Sequence, residues 1–170
     1  LNKKPVALFN LITVIRLVGQ RERLGGEKME KGRRPLSLSL LSFFLAVTGI
    51  ATAAFWVLFF SKKIQATETQ QDEAFERAFP LADSWMIACA LVSAKNILKM
   101  NKKGFFAGAA AASALIFLGC MDILYSLENR KYIPLNKDRA QMLFIHIWTI
   151  LLGSISMSLL WKKRDLFIND

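Results

Sequence analysis

The sequence predicts an all-α integral membrane protein: an antiparallel, up-and-down bundle of four transmembrane helices with both termini cytoplasmic. Three observations predict it. Four apolar stretches between Leu36 and Trp161 each approach the roughly 20 residues that a helix needs to cross a bilayer. Hydrophobic residues make up 54% of the 170-residue chain and mean hydropathy is +0.32, both high for a soluble domain of this size. The charged residues, finally, are gathered mainly between the apolar stretches and at the chain ends.

Residues 1–28 stand apart. Their apolar part, Pro5 to Gly19, is interrupted by Asn10 and Arg16. It is short for a span, and Arg16 breaks the apolar core that a signal peptide requires. An interfacial amphipathic or disordered extension is one reading. The stronger one is translation from too early a start. Gly25-Gly26-Glu27-Lys28 can be encoded by a purine-rich run directly before Met29, as at a bacterial ribosome-binding site. The expectation is a non-native 1–28, a prokaryotic source and one membrane domain over 29–170.

From Met29 the elements follow in order. Pro35 suits a helix start, because its missing N–H has no partner to lose there. The first span is placed at 36–60. A polar loop then runs to Pro80, and the second span is placed at 81–99. Only Met100 to Gly104 connects it to the third, at 105–127, which predicts a tight antiparallel hairpin. The loop from Glu128 to Ala140 leads to the fourth, at 141–161, and a charged tail ends the chain.

Orientation follows from Lys and Arg near the spans. Nine lie on the side of the termini: Lys31, Arg33, Arg34, Lys99, Lys102, Lys103, Lys162, Lys163 and Arg164. Seven lie on the other: Lys62, Lys63, Arg77, Arg130, Lys131, Lys137 and Arg139. Several of those seven are distant from a span, so the termini are assigned to the cytoplasm and the chain to the plasma membrane. Lys95, inside the second span near its cytoplasmic end, is read as a residue that extends its ammonium to the interface. The net charge of +10 is explained by these flanks. No basic stripe interleaved with aromatics occurs, which argues against nucleic acid as a partner.

Apolar burial cannot join helices in lipid, whereas close contact through small residues can. The third span should be the packing centre, with Gly104, Gly108 and Ala112 spaced by four and Ala107, Ala110, Ala111 and Ser113 beside them. Gly49 and Ala53 in the first span, and Gly153, Ser154 and Ser158 in the fourth, are the matching surfaces. Cys89 and Cys120 lack CxxC spacing and read as small buried hydrophobes rather than an exchanging pair.

The candidate site is a polar layer. Asp83, Asp122 and His146 lie on three different spans, each roughly 4–8 Å below the outer boundary by a rise of about 1.5 Å per residue. Ionisable groups inside spans are costly and usually face the bundle interior. Trp56, Trp85, Tyr125 and Trp148 collect at the same level, so these seven residues are the candidate ligand contacts. Asp83, soon after Pro80, has a plain alternative role as a helix cap. Asp122 and His146 have one as a structural hydrogen-bonded pair.

Four function classes fit unequally. The favoured one is a protein that binds an apolar or amphipathic, lipid-like ligand, or a membrane partner, through the outer half of the bundle. An enzyme acting on a lipid-like substrate, with Asp122 and His146 as acid and base, is the alternative. An accessory subunit of a larger complex, or a homo-oligomer, needs no chemistry at all. A transporter driven through a carboxylate in its first span is disfavoured, since no charge lies between Arg34 and Lys62. No sequence motif specifies a reaction, and the sequence predicts no cofactor and no metal: two carboxylates and one imidazole lack any ligand spacing, and a single histidine excludes bis-histidine haem ligation within the chain.

Overall fold

A computed structural model of the chain describes residues 35–64, 67 and 69–168. The expectations for residues 1–28, and the basic head Lys31, Arg33 and Arg34, lie outside the described residues. Those described are helical or in short connections, with no strand among them. The elements are α1 (Leu36–Phe60), α2 (Gln70–Glu76), α3 (Pro80–Ile97), α4 (Lys102–Glu128), α5 (Lys137–Lys162) and α6 (Asp165–Ile168).

Helix ends follow local chemistry. Pro80 opens α3 as its first residue, where no N–H is missed. The side chains of Asn101 and Asn136 accept from the backbone N–H groups of Gly104 and Arg139, capping α4 and α5. Within the stretch expected to be a loop, Thr69 and Asp72 close a capping box that starts α2.

Three helices, not four, are long and apolar enough to cross a membrane by length and composition: α1, α4 and α5, of 25, 27 and 26 residues. This is compatible with a membrane protein. The 18-residue α3 falls short. At about 1.5 Å per residue it measures about 27 Å against a hydrocarbon core of about 30 Å. Asp83, Ser84, Ser93, Lys95 and Asn96 dilute its apolar character.

The long helices nevertheless pack side by side in alternating direction. Along α1 and α3, the Ser42 hydroxyl donates to the Ala94 carbonyl at 2.7 Å. Gly49 sits against Ala90 and Leu91. Trp56 reaches Asp83. The residue numbers rise on one helix as they fall on the other, so the pair is antiparallel over most of its length. The tight turn at Met100, which has φ +52°, reverses the chain into α4, and the Ser93 hydroxyl donates to the Gly104 carbonyl at 3.0 Å. Gly153 packs on Ala112 and Ile116, and Gly119 on Ile150 and the His146 carbonyl, so α4 and α5 are also antiparallel.

Small residues set these distances. A Cβ on Gly104 would lie 2.6 Å from backbone atoms of Asn96 and Ile97, so only glycine permits that approach. Gly104, Gly108, Ala111 and Ala112 are buried on α4, which packs against both α3 and α5. The expected central role of this helix therefore holds, although Ser113 is exposed. On α5 the buried small residues are Gly153 and Ser156, while Ser154 and Ser158 face outward. Both cysteines are free; Cys89 is buried as expected, but Cys120 is exposed on the outer face of α4.

Large apolar side chains cover the outside of the bundle. Phe43, Val57, Phe106, Phe117 and Phe144 are each about 60% exposed or more. A water-soluble protein rarely leaves so much contiguous apolar surface uncovered.

Candidate functional site

A cavity of about 100 Å³ opens among α2, α4, α5 and the α4–α5 connection. Its walls include Glu76 and Phe75 of α2, Asp122 of α4, Lys131 of the connection, and Arg139 and His146 of α5. The lid is α2, the short helix hidden in the polar loop. Three contacts fix it. The Phe75 ring stacks on Tyr125 with centroids 3.8 Å apart and planes 9° from parallel. The Tyr125 hydroxyl donates to Asp72 Oδ1 at 2.7 Å. The Lys131 ammonium donates to Asp72 Oδ2 at 2.6 Å.

Asp72 is therefore the hub of the lid. Burial alone would raise its pKa, but Lys131, Tyr125 and Thr69 outweigh that and hold the carboxyl well below the usual carboxylate range. Glu76, one turn on, is shifted the other way. Burial first, then the neighbouring Asp122, Asp83 and Asp72, pushes it up to about 7. Besides Asp72, two carboxylates, Glu76 and Asp122, thus line one small cavity. Neither has a hydrogen-bond or ion-pair partner among the described residues.

His146 is buried at 9% exposure. Its Nδ1 lies 2.7 Å from the Tyr132 hydroxyl. The expected Asp122–His146 pair is not seen among the described residues: the hydrogen bond to the ring comes from a loop tyrosine at Nδ1, and none joins His146 to Asp122. They share the cavity wall instead, and an acid–base pair acting in direct contact is not formed. The Nε2 atom is left without a hydrogen-bond partner among the described residues.

Asp83 is likewise not a cap. Phe79 holds the N-cap position of α3 and makes no side-chain cap bond. Asp83 Oδ2 instead accepts from the Trp56 indole N–H at 2.8 Å, tying the end of α1 to the start of α3.

The aromatics divide. Trp56 and Tyr125 are engaged at the polar layer. Trp85 is 63% exposed and is not among the cavity walls. Trp148 packs edge-on against Phe44, and its indole N–H donates to Thr48 at 3.4 Å, so it serves the α1–α5 contact. The structure thus gathers Asp122, Tyr125 and His146 at one cavity and assigns Asp83 and Trp56 to an adjoining clasp. Trp85 and Trp148 fall outside it.

Sequence reasoning missed Asp72, Glu76, Lys131, Tyr132 and Arg139. One signal was present for the first two: Thr69-x-x-Asp72, a helix-start pattern inside the loop. Among the described residues, no group of three or more His, Cys, Asp or Glu side chains is arranged to hold a metal ion.

No family model matches the chain, and neither a curated protein nor a solved structure shows significant similarity to it.

Proposed function

We propose that this is a small multi-pass protein of the plasma membrane that binds an amphipathic ligand through the outer half of its bundle. In this reading α3 crosses with the other three long helices. Its weaker apolar character is offset by packing between α1 and α4, which buries Ser93 and half-buries Asp83. The basic residues of the chain ends and of the α3–α4 turn put both termini in the cytoplasm. The cavity then faces outward, near the membrane surface.

The observation that carries the reading is the unpartnered Glu76 and Asp122 in a cavity of about 100 Å³. That volume equals roughly three water molecules in the liquid. It is too small for a whole lipid-like molecule, for which pockets of about 300 Å³ or more are usual. It suits a compact head group that donates hydrogen bonds, such as an amine, while the tail lies along the apolar outer surface. Phe75 and Met142 supply the apolar rim.

Titration of purified protein with long-chain alkylamines and with alkyl sulfates of equal chain length tests this. The amine is expected to raise the thermal midpoint and the sulfate is not. Asp122→Asn should abolish the rise. Equal effects of both amphiphiles, in wild type and variant alike, would contradict the reading.

A further inference from the structure

Towards the end of the bundle opposite the cavity, a groove of about 410 Å³ runs along α1 and α3. Its floor is low because Ala46 and Ala94 are small, and Phe43, Leu91 and Leu98 form its apolar rim. The Ser42 hydroxyl is already engaged with the Ala94 carbonyl at 2.7 Å, which pins the two helices together. Ser39 and Lys95 remain as the polar groups along it.

Lys95 is exposed and has no ion-pair partner among the described residues. Nor is one close by in sequence. Described carboxylates lie in the outer half, at Asp72, Glu73, Glu76, Asp83, Asp122, Glu128 and Asp138, with Asp165 the exception. Asp165 faces Arg164 at 3.8 Å. Lys99, one turn further along α3, adds positive charge at the same end. A groove with apolar walls and a cation at its mouth lacks an anion with a tail.

We propose that this groove seats one anionic phospholipid of the inner leaflet, its acyl chain between α1 and α3 and its phosphate at Lys95 and Ser39. The proposal rests on the membrane reading and on the orientation given above. Two features select the occupant. The apolar length excludes a free phosphate, and the absence of a carboxylate beside Lys95 among the described residues disfavours a zwitterionic head, whose cation would find no partner there.

Native mass spectrometry of the full chain tests it, after incubation in mild detergent with equal amounts of phosphatidylglycerol and phosphatidylcholine. Wild type is expected to retain phosphatidylglycerol preferentially. Lys95→Gln should lower that retention about fivefold, the effect of roughly 1 kcal/mol per basic residue at a lipid surface. The double variant Lys162→Gln/Lys163→Gln, on a different helix, should stay within about twofold of wild type on the same scale. Equal retention of both lipids by wild type overturns the proposal, and so does a loss in the double variant as large as in Lys95→Gln. The wild-type comparison decides even if Lys95→Gln fails to fold. Alkaline carbonate washing of membranes separates the two levels. A chain that washes off refutes the membrane reading, whereas one that stays but shows no lipid preference refutes the groove alone.

Discussion

The Trp56 indole N–H donates to Asp83 Oδ2 at 2.8 Å, joining the end of α1 to the start of α3 across 27 residues of sequence. The bond gives a buried tryptophan its one required acceptor and gives the half-buried Asp83 carboxylate a donor. Trp56→Phe keeps most of the apolar surface and removes the donor. It is expected to destabilise the protein by about 1 kcal/mol, in line with hydrogen bonds in membrane helices. Asp83→Asn, which retains an acceptor oxygen, should cost less. Thermal unfolding in detergent checks the order.

The lid depends on Asp72 in the same way, with more at stake. Its carboxylate accepts from Lys131, Tyr125 and the Thr69 N–H. Removing it strands two side-chain donors at once. Asp72→Ala is expected to undock α2 and raise amide hydrogen exchange over residues 70–76 by at least about tenfold, without comparable change in α4. Tyr125→Phe, which preserves the stack on Phe75, should give a smaller increase.

The pH dependence separates the two carboxylates of α2. The Glu76 pKa is raised from 4.5 to about 7, so folding favours its protonated form. Its contribution is full below about pH 4.5 and is lost as pH rises through about 7. The Asp72 pKa is lowered, so its contribution is present above the ordinary carboxylate range and is lost only in strong acid. The thermal midpoint should therefore fall as pH is raised between those two Glu76 values. Glu76→Gln should flatten that fall.

Glycines at helix contacts differ in what they tolerate. A Cβ at Gly104 would meet the Asn96 backbone at 2.6 Å, and one at Gly153 the Ala112 carbonyl at 2.8 Å. Backbone cannot move aside, so Gly104→Ala and Gly153→Ala should each cost about 1–3 kcal/mol. At Gly49 the nearest atoms are Leu91 side-chain carbons at 3.3 Å, which can rotate away. Gly49→Ala should stay within about 0.5 kcal/mol of wild type. Unfolding of the three variants side by side checks this.

The long helices were legible because their ends are marked chemically. Leu36–Phe60 matches its expected bounds, and Pro80, Asn101 and Asn136 sit where polar or proline residues interrupt apolar runs. What failed was assigning partners. Asp83 resembled a cap because it follows Pro80 closely, yet the cap position falls at Phe79 and one further turn of helix carries Asp83 toward Trp56. His146 was matched to Asp122 by depth alone, while its partner, Tyr132, comes from a loop whose path depth arguments do not describe. The lid helix was overlooked because seven residues carry too little apolar periodicity to stand out from a polar linker. Of the seven candidate contacts, Asp122, Tyr125 and His146 line the cavity, and Asp83 and Trp56 form a clasp beside it. Trp148 serves packing and Trp85 is exposed.

The role proposed for the cavity is to hold the head of an amphipathic ligand between Glu76 and Asp122. Native mass spectrometry of protein released gently from its own membrane tests it most directly. Wild type is expected to carry a stoichiometric adduct that fragments as a small amphiphile with an amine or hydroxyl head. The double variant Glu76→Gln/Asp122→Asn should lose it while keeping its helical circular dichroism. A folded wild type that flies free of any adduct, or an adduct retained equally by the double variant, would contradict the account.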